Sequence, residues 1–144
     1  SQRAIALRAF LDTNVLPHLF SGDGVKADRA EELAAGGAVV SVQVLNEFVA
    51  VARRKLAMTW AEVAEAVSIT QQACAVEPLT VRVHDEAHRL AELHTLAWYD
   101  ALIASAAIAA GCDTLYSEDM HDGLRIGRTL TVRNPFRVGR SGTD

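Results

Sequence analysis

"FLDTNVL", residues 10–16, sets one carboxylate, Asp12, between an apolar run and a second apolar pair. Read outward, "ALRAFL" into Asp12 has the character of a buried strand, and "TNVLPHLF" starts the next element near the strand's C-terminal end. Asp is a strong N-cap and Asx-turn residue, so a local structural role accounts for Asp12 taken alone. The alternative is the first ligand of a site built from distant parts of the chain. What decides between them is whether other acids stand at comparable ends of later elements.

The later elements repeat the same grammar. "SGDG" marks a turn, residues 25–35 read as a short helix, and "GGAVVS" is a turn feeding a buried strand. "VQVLNEFVAVARRKLA" follows as a helix with apolar residues at 44, 45, 48, 51 and 52 and Ser41 as its cap. Thr59 with Glu62 forms a capping-box signature for a helix running to about residue 75. "EPLTV" reads as a short strand, and "HDEAHRLAELHTL" and "WYDALIASAAIAAG" as consecutive helices, the second stopped by Gly111. "DTLYS" and "TLTVRNP" supply two more strands, the last closed by a proline. Strands separated by helical stretches predict an α/β fold, a single α/β/α domain over residues 1–144 with a mainly parallel central sheet of about five strands. In such sheets the strand C-terminal ends gather along one edge, where loops far apart in sequence build one site.

Composition narrows the class. At 144 residues the chain matches one ordinary domain, and half of its residues are hydrophobic, which argues against wholesale disorder. A formal charge of -4 argues against coating nucleic acid by bulk attraction. From about residue 125 the balance turns basic: "RIGRTLTVRNPFRVGR" carries Arg125, Arg128, Arg133, Arg137 and Arg140 and no acid. This segment reads either as a patch for phosphates or an acidic partner, or as a solvated terminus. Cys74 and Cys112 are isolated and predict buried thiols in a reducing compartment. No apolar run is long enough to span a bilayer and the N-terminus does not read as a signal peptide, so a cytoplasmic protein without membrane contact is expected.

Three further acids stand at the ends of elements. Glu47 lies one turn into the helix launched from the second strand, near the edge of its apolar arc. It reads either as cover for that edge, or a partner of "RRK" beyond it, or as an acid turned towards the strand ends. Asp100 opens a helix that has no polar side chain except Ser105 from Ala101 to Gly111, and such a helix is expected to be buried. Asp100 either caps it, with Trp98 and Tyr99 packed on the core, or leaves room beside Ala104 and Ala107 for a metal-bound water or substrate. "LYSEDMHDG" ends the fourth strand with Ser117, Glu118, Asp119, His121 and Asp122. Here Asp119 is the expected metal ligand, Glu118 points outward or supports it, and Asp122 is a further candidate ligand.

Gathered together, Asp12, Glu47, Asp100 and Asp119 form an all-oxygen, strongly negative pocket. Such charges repel and raise at least one pKa, and a divalent cation is the simplest compensation. Carboxylates and water suit Mg2+ or Mn2+ better than zinc. The matching chemistry is hydrolysis of a phosphodiester by an activated water. Thr13, Asn14 and Ser117 are the donors expected to orient Asp12, water or phosphate, or to act as local caps. Arg53, Arg54, Lys55, Arg125 and Arg128 are the expected contacts to flanking phosphates.

The four strings "FLDTNVL", "SVQVLNEF", "WYDALIASAAIAAGC" and "LYSEDMHDG", in this order, resemble the PIN-domain family, above all the VapC-type toxin endoribonucleases of bacterial toxin-antitoxin pairs. The resemblance implies a compact α/β/α nuclease with an acidic centre dependent on Mg2+ or Mn2+. The family's acids fall on Asp12, Glu47, Asp100 and Asp119, and its polar companions on Thr13 and Ser117, with Asn14 next to the first. Asp122 lies in a loop where the family varies. The resemblance also implies an RNA substrate, a small cognate antitoxin protein and a homodimer.

Other readings fit less well. His84 and His88 share a helix face, with His94 farther on, but no third ligand, "HExxH" or cysteine cluster completes a zinc site. "SGDG" and "AAGGA" lack the arrangement of a P-loop. A metal-dependent phosphatase would place another acid close after Asp12, where Thr13 and Asn14 stand. The non-enzyme alternative is a catalytically silent PIN-like domain that binds nucleic acid or protein.

Overall fold

The computed structural model describes residues 8–22 and 24–137. Six strands form one sheet: β1 (Ala9–Leu11), β2 (Val39–Ser41), β3 (Ala75–Glu77), β4 (Thr114–Tyr116), β5 (Arg125–Ile126) and β6 (Leu130–Arg133). Their order is β3-β2-β1-β4-β6-β5, with every pair parallel except β5 with β6. The helices are α1 (Leu16–Leu19), α2 (Gly24–Ala35), α3 (Val42–Arg54), α4 (Trp60–Ala73), α5 (Val81–His94) and α6 (Trp98–Ala109). This is the expected α/β/α domain with a mostly parallel sheet. The strand unforeseen in the sequence is β5, whose two residues are too few to show a period.

Local chemistry explains where the elements start and stop. The Ser41 side chain accepts from the Val44 N–H at 3.1 Å and caps α3. Thr59 and Glu62 exchange hydrogen bonds of 3.1 and 2.8 Å, the capping box that starts α4. Gly111, at φ +78°, takes the left-handed conformation just past α6. The strand expected over residues 77–81 ends at Glu77, because Pro78 has no N–H for the ladder and Thr80 already caps α5 through the Val83 N–H.

The core lies on both faces of the sheet. Phe10, Leu11, Val40, Leu115 and Val132 of the central strands are fully buried, as parallel strands covered by helices must be. Every residue of α6 from Ala101 to Ala107 is buried, and its one polar member, Ser105, donates to the Val83 carbonyl at 2.8 Å. Trp98 and Tyr99 depart from expectation. They are 37% and 59% exposed rather than packed on the core, because α6 enters the core only from Ala101. Cys74 and Cys112 are buried free thiols.

Candidate functional site

The strand order creates the site. From β1 the chain crosses to β2 on one side, while β4 lies on β1's other side, so a crevice opens at the C-terminal ends of β1 and β4. The edge is tied by main-chain bonds: the Asp12 N–H donates to the Tyr116 carbonyl at 2.9 Å, and the Ser117 N–H to the Arg133 carbonyl at 3.0 Å. Asp12 is thereby buried at the mouth of the crevice.

Its carboxylate is fully engaged. Oδ1 accepts the Thr13 N–H at 2.6 Å, which caps the short 3-10 turn Thr13–Val15. Oδ2 accepts the Ser117 hydroxyl at 2.8 Å and the Asn14 amide at 3.3 Å. The cap and site roles of Asp12 therefore coexist on different oxygens. Ser117 Oγ in turn accepts the N–H groups of Asp119 and Met120 at 3.2 and 3.1 Å, so one hydroxyl organises the loop that follows β4. Burial pushes the Asp12 carboxyl up to about 6, helped by repulsion from Asp100 and Glu47, although the bonds from Ser117 and Thr13 pull the other way.

Glu47 is half-buried on α3 and is oriented by two donors, Thr13 Oγ1 at 3.1 Å and Gln43 Nε2 at 2.9 Å. It therefore turns towards the strand ends and not towards Arg53 and Arg54. Gln43 escaped sequence reading, though its place one turn before Glu47 was the available signal. Asp100 sits in the first turn of α6, where Ala97 is the N-cap and no side chain caps the helix, so Asp100 is not a cap. Burial raises its carboxyl, followed by repulsion from Glu47 and Asp119. Asp119 is exposed on the loop after β4. The four acids are thus brought into one electrostatically coupled group.

They do not close into a ligand cage. Among the described residues, no group of three or more His, Cys, Asp or Glu side chains is gathered so as to hold a metal ion. The donor set is all oxygen and suits a hard divalent cation in chemistry, but its spacing falls short of the convergence expected from the sequence.

The remaining candidates scatter. Asp122 accepts the Asn134 N–H at 2.9 Å and pairs with Arg137 at 3.5 Å, fastening the segment after β6 instead of turning to the acids. Glu118 bonds Lys26 and His18; burial alone would raise its carboxyl, but those bonds outweigh it and hold it below the usual range. Arg53 lies 4.5 Å from the Trp60 ring centroid and donates to the Met58 carbonyl at 2.8 Å. With Arg54 and Lys55 it stands at the far end of α3 from the strand edge. Arg128 precedes β6, and since β6 runs parallel to β4 it lies at the opposite end of the sheet from Asp12. Arg125, opposite Thr131 at the outer edge, is likewise below the site. Arg140 lies outside the described residues. His84 and His88 meet Trp98 edge-on, and His94 accepts the Gly127 N–H.

Comparison with known proteins places this geometry in context. No curated protein matches the chain, whereas many solved structures do. The toxin-antitoxin complex from Klebsiella pneumoniae superposes with a TM-score of 0.68 at 18% identity, covering 90% of this chain and 99% of that one. VapBC2 from Rickettsia felis, bound to a promoter DNA fragment, gives 0.66 at 22% identity, covering 89% and 98%. Mycobacterium tuberculosis VapC20, described as a Sarcin-Ricin loop cleaving toxin, gives 0.61 at 20% identity, covering 77% and 89%. At these identities the likeness is one of fold. Among the described residues no helix is long and apolar enough to cross a membrane. The family model described as PIN domain matches residues 9–122, from β1 through the loop after β4, and so takes in all four acids. The chain belongs to the PIN-domain family.

Proposed function

We propose that the chain is a divalent-metal-dependent endoribonuclease that hydrolyses RNA phosphodiester bonds and acts as the toxin of a toxin-antitoxin pair. The observation that carries this reading is a buried carboxylate at the switch point of the sheet, Asp12, charge-coupled to Asp100 and Glu47, with Asp119 coupled to Asp100. Asp12, Asp100, Asp119 and Glu47 are the residues that would hold Mg2+ or Mn2+. Such an ion supplies charge neutralisation at the phosphate and acidifies a bound water. Ser117, Asn14 and the Thr13 N–H orient Asp12, while Thr13 Oγ1 and Gln43 orient Glu47. The solved toxin-antitoxin relatives support an antitoxin partner, and a second copy of the chain is its proposed assembly. An apolar groove of about 600 Å3 lined by Phe20, Phe48, Leu56, Met58 and Ile69 supports a protein partner as well.

A second reading, a catalytically silent PIN domain that binds nucleic acid or protein, is favoured by the absence of a close three-acid group among the described residues. Incubation of purified protein with total RNA in Mg2+, Mn2+ or EDTA separates the two. Metal-dependent cleavage lost in both Asp12→Asn and Asp100→Asn supports the nuclease. Full cleavage by both folded variants sinks the metal centre, and RNA binding without any cleavage supports the silent domain. Sequencing RNA ends after controlled induction, with Asp12→Asn alongside, identifies the substrate.

A further inference from the structure

Glu118 stands between Ser117, the organiser of the loop after β4, and Asp119. One of its carboxylate oxygens accepts from Lys26 Nζ of α2 at 2.7 Å, and the other pairs with His18 Nε2 of α1 at 3.0 Å. The Phe136 ring closes the cluster, with the His18 ring edge-on at 4.7 Å and Lys26 Nζ 5.2 Å from its centroid. The main chain of Glu118 is tied as well: its N–H donates to Asn14 Oδ1 at 3.0 Å, and the Asn14 amide reaches Asp12. Four residues further on, Asp122 holds the Asn134 N–H and Arg137. Between these two anchored acids, the Asp119 carboxylate accepts no hydrogen bond among the described residues. Its place is therefore set by the loop and not by its own contacts.

We propose that Lys26 and His18 are positioning residues: by holding the two oxygens of Glu118 from α2 and α1, they stake the loop after β4 and keep Asp119 within reach of Asp100. The catalytic consequence rests on the nuclease reading; the mechanical one does not. Half-exposed ion pairs add little to global stability, so the clamp acts on local order. A carboxylate displaced by even an ångström costs an active site heavily.

Hydrogen exchange of the loop amides, read beside cleavage kinetics, tests the clamp. In Lys26→Met the Asp119 and Met120 amides should exchange about tenfold faster, while the Asp12 amide, bonded to β4, stays unchanged. Lys26→Arg keeps the cation and should behave as the parent, and His18→Phe keeps the ring against Phe136 but should show the Lys26→Met effect in weaker form. On RNA, Lys26→Met should lower kcat about tenfold with KM unchanged and the melting temperature retained. Equal exchange in all variants overturns the clamp, as does a loss that appears only in KM. If exchange responds as expected while the parent cuts no RNA, the clamp stands and the nuclease reading falls.

Discussion

Asp12 and Asp119 are the two extremes of one acidic group. Asp12, at the end of β1, is buried, and its oxygens are filled by Thr13, Asn14 and Ser117. Asp119, on the loop after β4, is exposed, and among the described residues only its main chain is tied. The difference shows how a sheet edge divides labour: the strand supplies a desolvated charge held by its own hydrogen bonds, and the loop supplies a solvated charge placed by its main chain.

The largest expected effect breaks the fixed end. Asp12→Asn, nearly isosteric, should lower metal-dependent RNA cleavage roughly a hundredfold or more with the fold retained by circular dichroism, since it removes the charge and turns one of two accepting oxygens into a donor. Unchanged cleavage would remove Asp12 from the chemistry.

The next tests the hub between the two acids. Ser117→Ala deletes one of two donors to Asp12 Oδ2 and leaves the Asp119 and Met120 N–H groups without their acceptor. A loss of about 1–3 kcal/mol in urea unfolding is expected. The same experiment on Asp119→Asn should show a change within about 0.5 kcal/mol, because the exposed carboxylate accepts no hydrogen bond among the described residues. Equal costs at the two positions would erase the contrast.

The third uses proton linkage. Asp12 titrates near 6 in the folded chain against an ordinary 3.8, so the folded state binds more protons between those values. Its contribution to stability is fullest below about 4 and is lost as pH rises through 6. Carrying the buried charge at neutral pH costs on the order of 3 kcal/mol. Mg2+ or Mn2+ should therefore raise the melting temperature more at pH 7.5 than at pH 5, and cleavage should fall as pH drops through about 6. A metal effect on melting that is identical at both pH values contradicts this assignment.

The smallest expected effect concerns Asp122. Asp122→Asn weakens its pair with Arg137 but keeps an acceptor for the Asn134 N–H, so cleavage should stay within about twofold of the parent. A loss as deep as that of Asp12→Asn would return Asp122 to the metal ligands.

Much of this was legible locally. The Ser41 cap and the Thr59–Glu62 box start their helices where the spacing predicts, and the Ala101–Ala107 run is buried as its composition requires. Asp12 and Asp119 follow strands, Glu47 lies one turn into a helix and Asp100 in the first turn of another, as the element boundaries suggest. What escaped was non-local. β5 is too short to show a period, and no local pattern ties Lys26 or His18 to Glu118, some ninety to a hundred residues away. Arg125 and Arg128 read as phosphate contacts because they belong to a basic stretch without acids, and the parallel β4–β6 register sets them away from the strand ends that carry Asp12. Asp122 looked like a ligand by proximity to Asp119, yet it fastens the chain after β6.

The sequence by itself determined which segments become strands and helices and which of them end in an acid, because periodicity, caps and turn residues act over a few positions. Only the tertiary structure decided that β1 lies beside β4. That pairing sets Ser117 against Asp12 across 105 residues and buries the carboxylate enough to raise its pKa. Strand order follows from how the whole chain buries its apolar faces, and desolvation is a property of that assembled environment, not of any short stretch.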